Sequence, residues 1–212
     1  MLAKKKVKKT SKVGRPSKKA GITVRQDLIL AGVEILKTTP LEEFSLRKVA
    51  AHAGVSHVAM YHHFADKNDL LAEIAEIGFQ DYFTLFNQEL EKVGDDFVNR
   101  YNALGWTYFQ FIMNNQQYAK IMFGGMGKSH PKLSSISRKT YRQLHETIRL
   151  GQNLGFIQKG HTREKTLASW AIIHGFAMLF LEGRLKPKQN PQEMQDFIRS
   201  VTKHVYIGMT EL

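Results

Sequence analysis

The sequence predicts an all-α protein, a small N-terminal helical domain followed by a larger helical one. Three observations predict it. Apolar residues recur at helical spacing from about residue 22 onward, no run shows the period-two alternation of a half-buried strand, and only five prolines occur in 212 residues. Hydrophobic residues make up 42% of the chain, enough for packed cores and too many for a disordered polymer. There is no cysteine, which excludes disulfides, thiolate metal sites and cysteine nucleophiles.

The elements follow in order. Thr23-x-x-Gln26 has the pattern of a capping box at a helix start. Val24, Leu28, Ala31, Ile35 and Leu36 then continue at helical spacing until Pro40 closes the segment. Ser45 can cap a short second helix with Leu46, Val49, Ala50 and Ala53 on its inner face, broken by Gly54. Ser56 caps a third that ends near Phe64, and Asp66 a fourth that runs to about Val93. In the second block Phe97, Tyr101, Leu104, Tyr108, Phe111 and Ile112 form one helical face. A short helix near 116–122, a Gly-rich loop GGMGKSHP, and helices over about 133–153, 162–186 and 191–208 complete the reading. The expected organisation is a disordered basic arm over 1–21, a small helical domain over 22–70, and a larger helical domain over 71–212.

The net charge of +12 is unevenly placed. Residues 1–21 carry nine of the 31 basic residues and no acidic one, leaving 22 basic against 19 acidic residues downstream. A cationic arm on a nearly balanced globule suits a polyanion. With only Leu2, Val7 and Val13 between its charges the arm has no apolar face for lipid, so nucleic acid is favoured over membrane. Gly14-Arg15-Pro16 is similar to an AT-hook core that lays arginine into a narrow minor groove, although Val13 stands where the hook carries arginine. An unstructured phosphate-attracting tail accounts for the same residues. The basic start is followed by no apolar stretch of the secretory kind, and the longest apolar run, Trp170 to Leu181, is too short to span a bilayer. A cytoplasmic protein is expected.

The segment from Ser45 to Phe64 has the spacing of a helix-turn-helix. Two short helices that cross closely need a small residue at the contact, a glycine at the turn and bulky apolar residues behind the second helix. Ala50, Gly54 and Met60 meet those needs, with Leu46, Val49 and Val55 filling the other inward positions. His57, Val58, Ala59, Tyr61 and His62 are left facing out, a set poorly suited to a core. An ordinary helical hairpin with a glycine turn shares this spacing. The wider stretch Val24 to Leu71, above all FSLRKVAAHAGVSHVAMYHHFADKNDLL, closely resembles the DNA-binding domain of the TetR/AcrR regulators. It includes their Tyr-x-His-Phe-x-x-Lys run as Tyr61, His63, Phe64 and Lys67, with His62 where an aromatic is usual. The resemblance implies that Ser45, Tyr61, His63 and Lys67 lie near phosphates, while Arg47, His57, Val58 and Ala59 face base edges. Arg47 is suited to a bidentate contact with guanine, and Val58 and Ala59 to thymine methyls. His52, His57, His62 and His63 share no helical face with a carboxylate or thiolate, so no metal site is expected.

In the second block Trp170, His174 and Gly175 resemble the Trp-x3-His-Gly signature of one C-terminal subgroup of that family. Helix 162–186 is apolar on two sides, Leu167, Trp170, Ala171, His174 and Met178 on one and Ile172, Ile173, Phe176 and Phe180 on the other, and such a helix needs two partners. Either a second subunit covers one side or the helix stands at the centre of one large core. Family members dimerise through their last two helices, which implies an interface of Phe176, Phe180, Phe197 and Val201. Trp106, Phe109, Met113, Tyr118, Met122, Tyr141, His145, Trp170 and His174 could furnish a roomy apolar pocket with a few polar tips, or simply pack the core. No Ser-His-acid order, metal triad or phosphate loop is seen, so neither enzymatic activity nor a cofactor is expected. The expectation is a homodimeric regulator, a repressor released from palindromic operator DNA by a small, largely apolar ligand. An architectural DNA binder dominated by its arm, and an enzyme with a vestigial DNA domain, are the alternatives.

Overall fold

A computed structural model describes residues 18–124, 131–186 and 188–209, with residues 18–22 and 131–134 described by their backbone alone. Arg15, most of the basic arm and most of the GGMGKSHP loop lie outside the described residues. The N-terminal half consists of α1 (Lys18–Thr38), a 3-10 turn (Leu41–Glu43), α2 (Leu46–His52) and α3 (His57–His63). Helix α4 (Lys67–Val93) leads into α5 (Phe97–Asn114), α6 (Gln116–Phe123), α7 (Pro131–Asn153), α8 (Thr162–Leu181) and α9 (Pro191–Ile207). No strand occurs among the described residues.

The helix starts follow the caps read from the sequence. The side chains of Ser45, Ser56 and Asp66 accept hydrogen bonds from the backbone N–H groups of Lys48, Ala59 and Asp69, each the third residue of its helix. Two boundaries differ. α1 begins at Lys18, so Thr23 lies inside the helix and residues 18–21 belong to it and not to the arm. α8 stops at Leu181, because Gly183 turns into the left-handed region (φ 69°) and the N–H groups of Arg184 and Leu185 close back on the Leu179 carbonyl.

Helix α4, about 40 Å long at 1.5 Å per residue, joins the two halves, so the expected boundary at residue 71 falls inside a helix. Its first turns pack on α1 and the rest on α5, α6 and α7, and one apolar core runs from Leu28 through Met60, Leu71 and Ile112 to Ile198. Close approach of α6 depends on Gly78, where a Cβ would lie 2.7 Å from the Tyr118 ring and 2.8 Å from the Met122 sulfur. A second cluster, Phe97, Tyr101, Ile148 and Ile157, closes the far end.

Candidate nucleic-acid interface and ligand cavity

The turn between α2 and α3 is built as the sequence requires. Gly54 adopts φ 66°, a region that favours glycine, and the N–H groups of Gly54 and Val55 donate to the carbonyls of Ala51 and Ala50. Ala50 is buried where the helices touch, and Met60 is fully buried beneath α3. The opposite face is open. Val58 is 69% exposed, and Arg47, His57, Tyr61 and His62 are exposed while Ser45, Ala59 and His63 are half-buried. The His57 and Tyr61 rings meet edge to face, one turn apart on α3. Arg47 has no partner among the described residues, so its guanidinium is free to reach outward.

Lys67 stands differently. Its ammonium donates to the Leu41 carbonyl at 3.0 Å and sits 5.7 Å from the Phe44 ring centre, so it ties the start of α4 to the 3-10 turn. Arg25 ties α1 to the same region, paired with Glu73 at 2.8 Å and lying over the Phe64 ring. Together they fix where α2 and α3 stand on the scaffold.

The larger half encloses a cavity of about 420 Å³ between α4, α5, α7 and α8, with α6 at one end and α9 at the edge. Of the nine pocket residues expected from the sequence, Met122, Tyr141 and Trp170 line it. The other six are placed elsewhere, as follows. Trp106 stacks on Phe109, and Phe109 packs on Phe176 and Phe180 within the core. Tyr118 fills the α4–α6 contact, Met113 packs half-buried beside the core, and His145 bonds Thr166 at 3.2 Å beside the Tyr141 ring. His174 is turned to Tyr108, whose hydroxyl lies 2.6 Å from His174 Nδ1. Sequence periodicity cannot tell these faces apart, because every one of them is apolar. Tyr82, Phe86, Tyr101, Leu104, Tyr108 and Arg138 are cavity residues it missed.

The Trp170 ring packs beside His174, with ring centres 6.1 Å apart. Burial lowers the His174 pKa, raises that of Tyr108, and pushes Tyr101 up to about 12. A linkage prediction follows from the His174 direction. Above about pH 6.5, the ordinary histidine value, the ring is neutral folded or unfolded. Below it the unfolded chain takes up a proton that the folded protein resists, so stability falls as pH falls. Thermal melts from pH 7.5 to 5 should show a shallower loss for His174→Gln than for the native chain. Parallel curves would remove His174 from the acid response.

One dimer residue expected from the sequence turns inward. Phe180 is 8% exposed and faces the protomer's own core, edge-on to Phe109, so it does not face outward. Phe176 is half-buried against Phe180 and Phe197, and Val201 is half-buried. The open apolar face of α8 is the opposite one: Leu167, Ala168, Ala171, Ile172 and Leu179 are exposed, with Gly175 half-buried among them.

Residues 28–74 match the family described as bacterial regulatory proteins, tetR family, and residues 101–204 match the tetracyclin repressor-like C-terminal domain, together more than two thirds of the chain. The chain belongs to the TetR family. It is thus a transcription regulator whose helix-turn-helix binds DNA, and dimerisation and ligand binding are typical of TetR-family proteins. The C-terminal match carries no subgroup, so the Trp170, His174 and Gly175 signature remains a resemblance of residues. Among relatives, the nucleoid occlusion factor SlmA of Marinobacter nauticus is 26% identical over 164 residues, covering 76% of this chain and 82% of that protein. A protein of unknown function from Rhodococcus sp. RHA1 shares the fold with a TM-score of 0.75 at 24% identity, over 89% of this chain and 96% of its own. The TetR family regulator PfmR from Thermus thermophilus shares it at 0.60 and 17% identity, over 89% and 99%. Among the described residues no helix is long and apolar enough to cross a membrane.

Proposed function

We propose that the protein is a homodimeric, cytoplasmic repressor that is released from a two-fold symmetric operator by a small, largely apolar ligand. The observation that carries ligand release is the position of α6. One end of α6 supplies Met122, and Phe123 beside it, to the cavity wall. From the same helix Gln117 accepts the Leu41 N–H at 3.1 Å, and Lys120 lies 3.5 Å from Glu42, both in the 3-10 turn just before α2. A ligand that moves α6 thereby moves the platform of the DNA-reading helices. Linkage makes the effect reciprocal, so operator DNA must weaken the ligand by the same factor.

The open α8 face supports the dimer. Ala168, Ala171 and Gly175 are small and lie between Leu167, Ile172 and Leu179, so a second α8 can approach closely with larger side chains on each flank. A two-fold axis there would present the two α3 helices to half-sites about 34–36 Å apart.

For DNA, Arg47, His57, Val58 and Ala59 are assigned to base edges, and Ser45, Tyr61, His62, His63 and Lys67 to phosphates. The arm with Arg15 adds further phosphate or minor-groove contact. Fluorescence titration of operator and scrambled duplexes tests the division. Arg47→Ala should lose about 1–3 kcal/mol of discrimination, the worth of a bidentate base contact. Tyr61→Phe should weaken both duplexes alike. The assignment fails if Arg47→Ala keeps full operator preference while Tyr61→Phe abolishes it.

A further inference from the structure

The cavity read above as the effector site carries polar groups that are mostly occupied by one another. Tyr101 donates to Ser169 Oγ at 2.9 Å, and Ser169 donates to the Lys165 carbonyl at 2.9 Å. The Tyr108 hydroxyl is paired with His174 Nδ1 at 2.6 Å. Thr140 donates to the Ser137 carbonyl and Thr202 to that of Ile198. These groups have little left to offer a ligand.

Arg138 and Tyr141 are different. They stand three residues apart on α7, hence on one face of the helix, and both line the cavity. Neither the guanidinium nor the Tyr141 hydroxyl has a hydrogen-bond or ion-pair partner among the described residues. Arg138 is exposed and Tyr141 half-buried, which puts the pair at the mouth. No aspartate or glutamate lines the cavity among the described residues, so a cationic ligand would meet no countercharge and one cation of the protein itself. The remaining wall is rich in rings, since seven of its other sixteen described residues are Phe, Tyr or Trp. Flat aromatic surface meets such walls in offset and edge-to-face contacts that an alkyl chain cannot make.

We propose that the cavity takes an aromatic monoanion, with its rings between α4, α5 and α8 and its carboxylate on Arg138 and Tyr141. This rests on the cavity being the effector site and adds the chemical class of the effector. A guanidinium offers five donors and no acceptor in a fork that fits a carboxylate. At the mouth both partners keep part of their water, so the ion pair escapes the desolvation cost of a fully buried one. The body of the ligand supplies the affinity by burial, and the anion supplies the selection.

Calorimetric titration of the full chain with pyrene-1-carboxylate and with its uncharged isostere pyrene-1-carboxamide tests the class. The native protein should bind the carboxylate about tenfold or more tightly than the carboxamide, as expected of a charge-assisted bidentate bond. Arg138→Gln should bring the carboxylate down to the carboxamide's level and leave the carboxamide unchanged. Because Arg138 is exposed and unpaired, this variant should fold, which its circular dichroism and thermal melt will report. Equal native affinities for the two probes would overturn the anionic class and leave the cavity reading standing. A preference that survives in Arg138→Gln would overturn the class too, since the anion would then sit elsewhere. Binding of neither probe would overturn both readings.

Discussion

A glutamate at position 172 should turn the protein into a monomer that has lost nearly all affinity for its operator. Ile172 is 45% exposed on a helix whose other side is fully committed to the core through Thr166, Ser169, Ile173, Ala177 and Phe180. A protomer gains nothing from an isoleucine presented to water, whereas a two-fold partner gains burial of the whole Leu167–Leu179 strip. In an isologous interface each substitution enters twice, so Ile172→Glu places two carboxylates into one apolar seam. Burying even one uncompensated charge costs several kcal/mol, and every 1.4 kcal/mol is about tenfold in dissociation constant. The dimer should therefore be weakened by at least about a hundredfold, and operator binding should fall with it because one half-site no longer holds the other. Sizing chromatography with light scattering reads the assembly, and circular dichroism should show an intact fold, since the side chain points away from the core. Mixing Ile172→Glu with Ile172→Lys protein should restore a mixed dimer. A wholly dimeric Ile172→Glu protein would place the interface elsewhere.

This face was only half legible in the sequence. The pattern of residues 162–186 predicts a helix apolar on two sides, and in the structure one side of α8 is buried while the other is apolar and open. Which side turns inward depends on α5 and α9, far away in the chain, and local periodicity carries no information about them. Phe180 and Phe176 are large and aromatic, which suits an interface anchor and a core residue equally well, and here Phe109 and Phe197 claim them. The cavity shows the same limit. Met122, Tyr141 and Trp170 were recognisable as candidates, but a cavity exists where packing fails to close, and that is a property of six helices together. Arg138 left a faint signal in its spacing from Tyr141, hidden by the general polarity of α7.

The DNA-reading half was legible almost residue by residue, for a physical reason. Its helices are short and their contacts local, so caps, the turn glycine and the inward side chains all fall within twenty residues and constrain one another. Lys67 is the exception. Its role at a phosphate was implied by resemblance, while its bond to the Leu41 carbonyl crosses 26 positions and could not be read from spacing.

That locality makes the recognition helix vulnerable at a single side chain. Helix α3 has seven residues, and a helix of that length is unstable by itself in water. Met60 is its one buried residue, at 0% exposure, and beyond it the helix is held by the Ser56 cap, the Phe64 terminus and the Gly54 turn. Met60→Ala should remove about 2–5 kcal/mol, the usual cost of emptying a fully buried methionine site. The loss should be confined. The packing of α5, α7, α8 and α9 does not involve α3, so the dimer and the cavity should persist while α2 and α3 come loose from α1 and α4. Hydrogen exchange should then show fast amides over 46–64 against protected ones in α5 and α8, and operator affinity should collapse although Arg47, His57 and Tyr61 are all still present. Met60→Leu keeps the volume and should recover both, at a cost under about 1.5 kcal/mol. If Met60→Ala instead binds operator at native strength with α3 still protected, the caps and the turn suffice to hold the recognition helix, and its anchoring by one core residue is wrong.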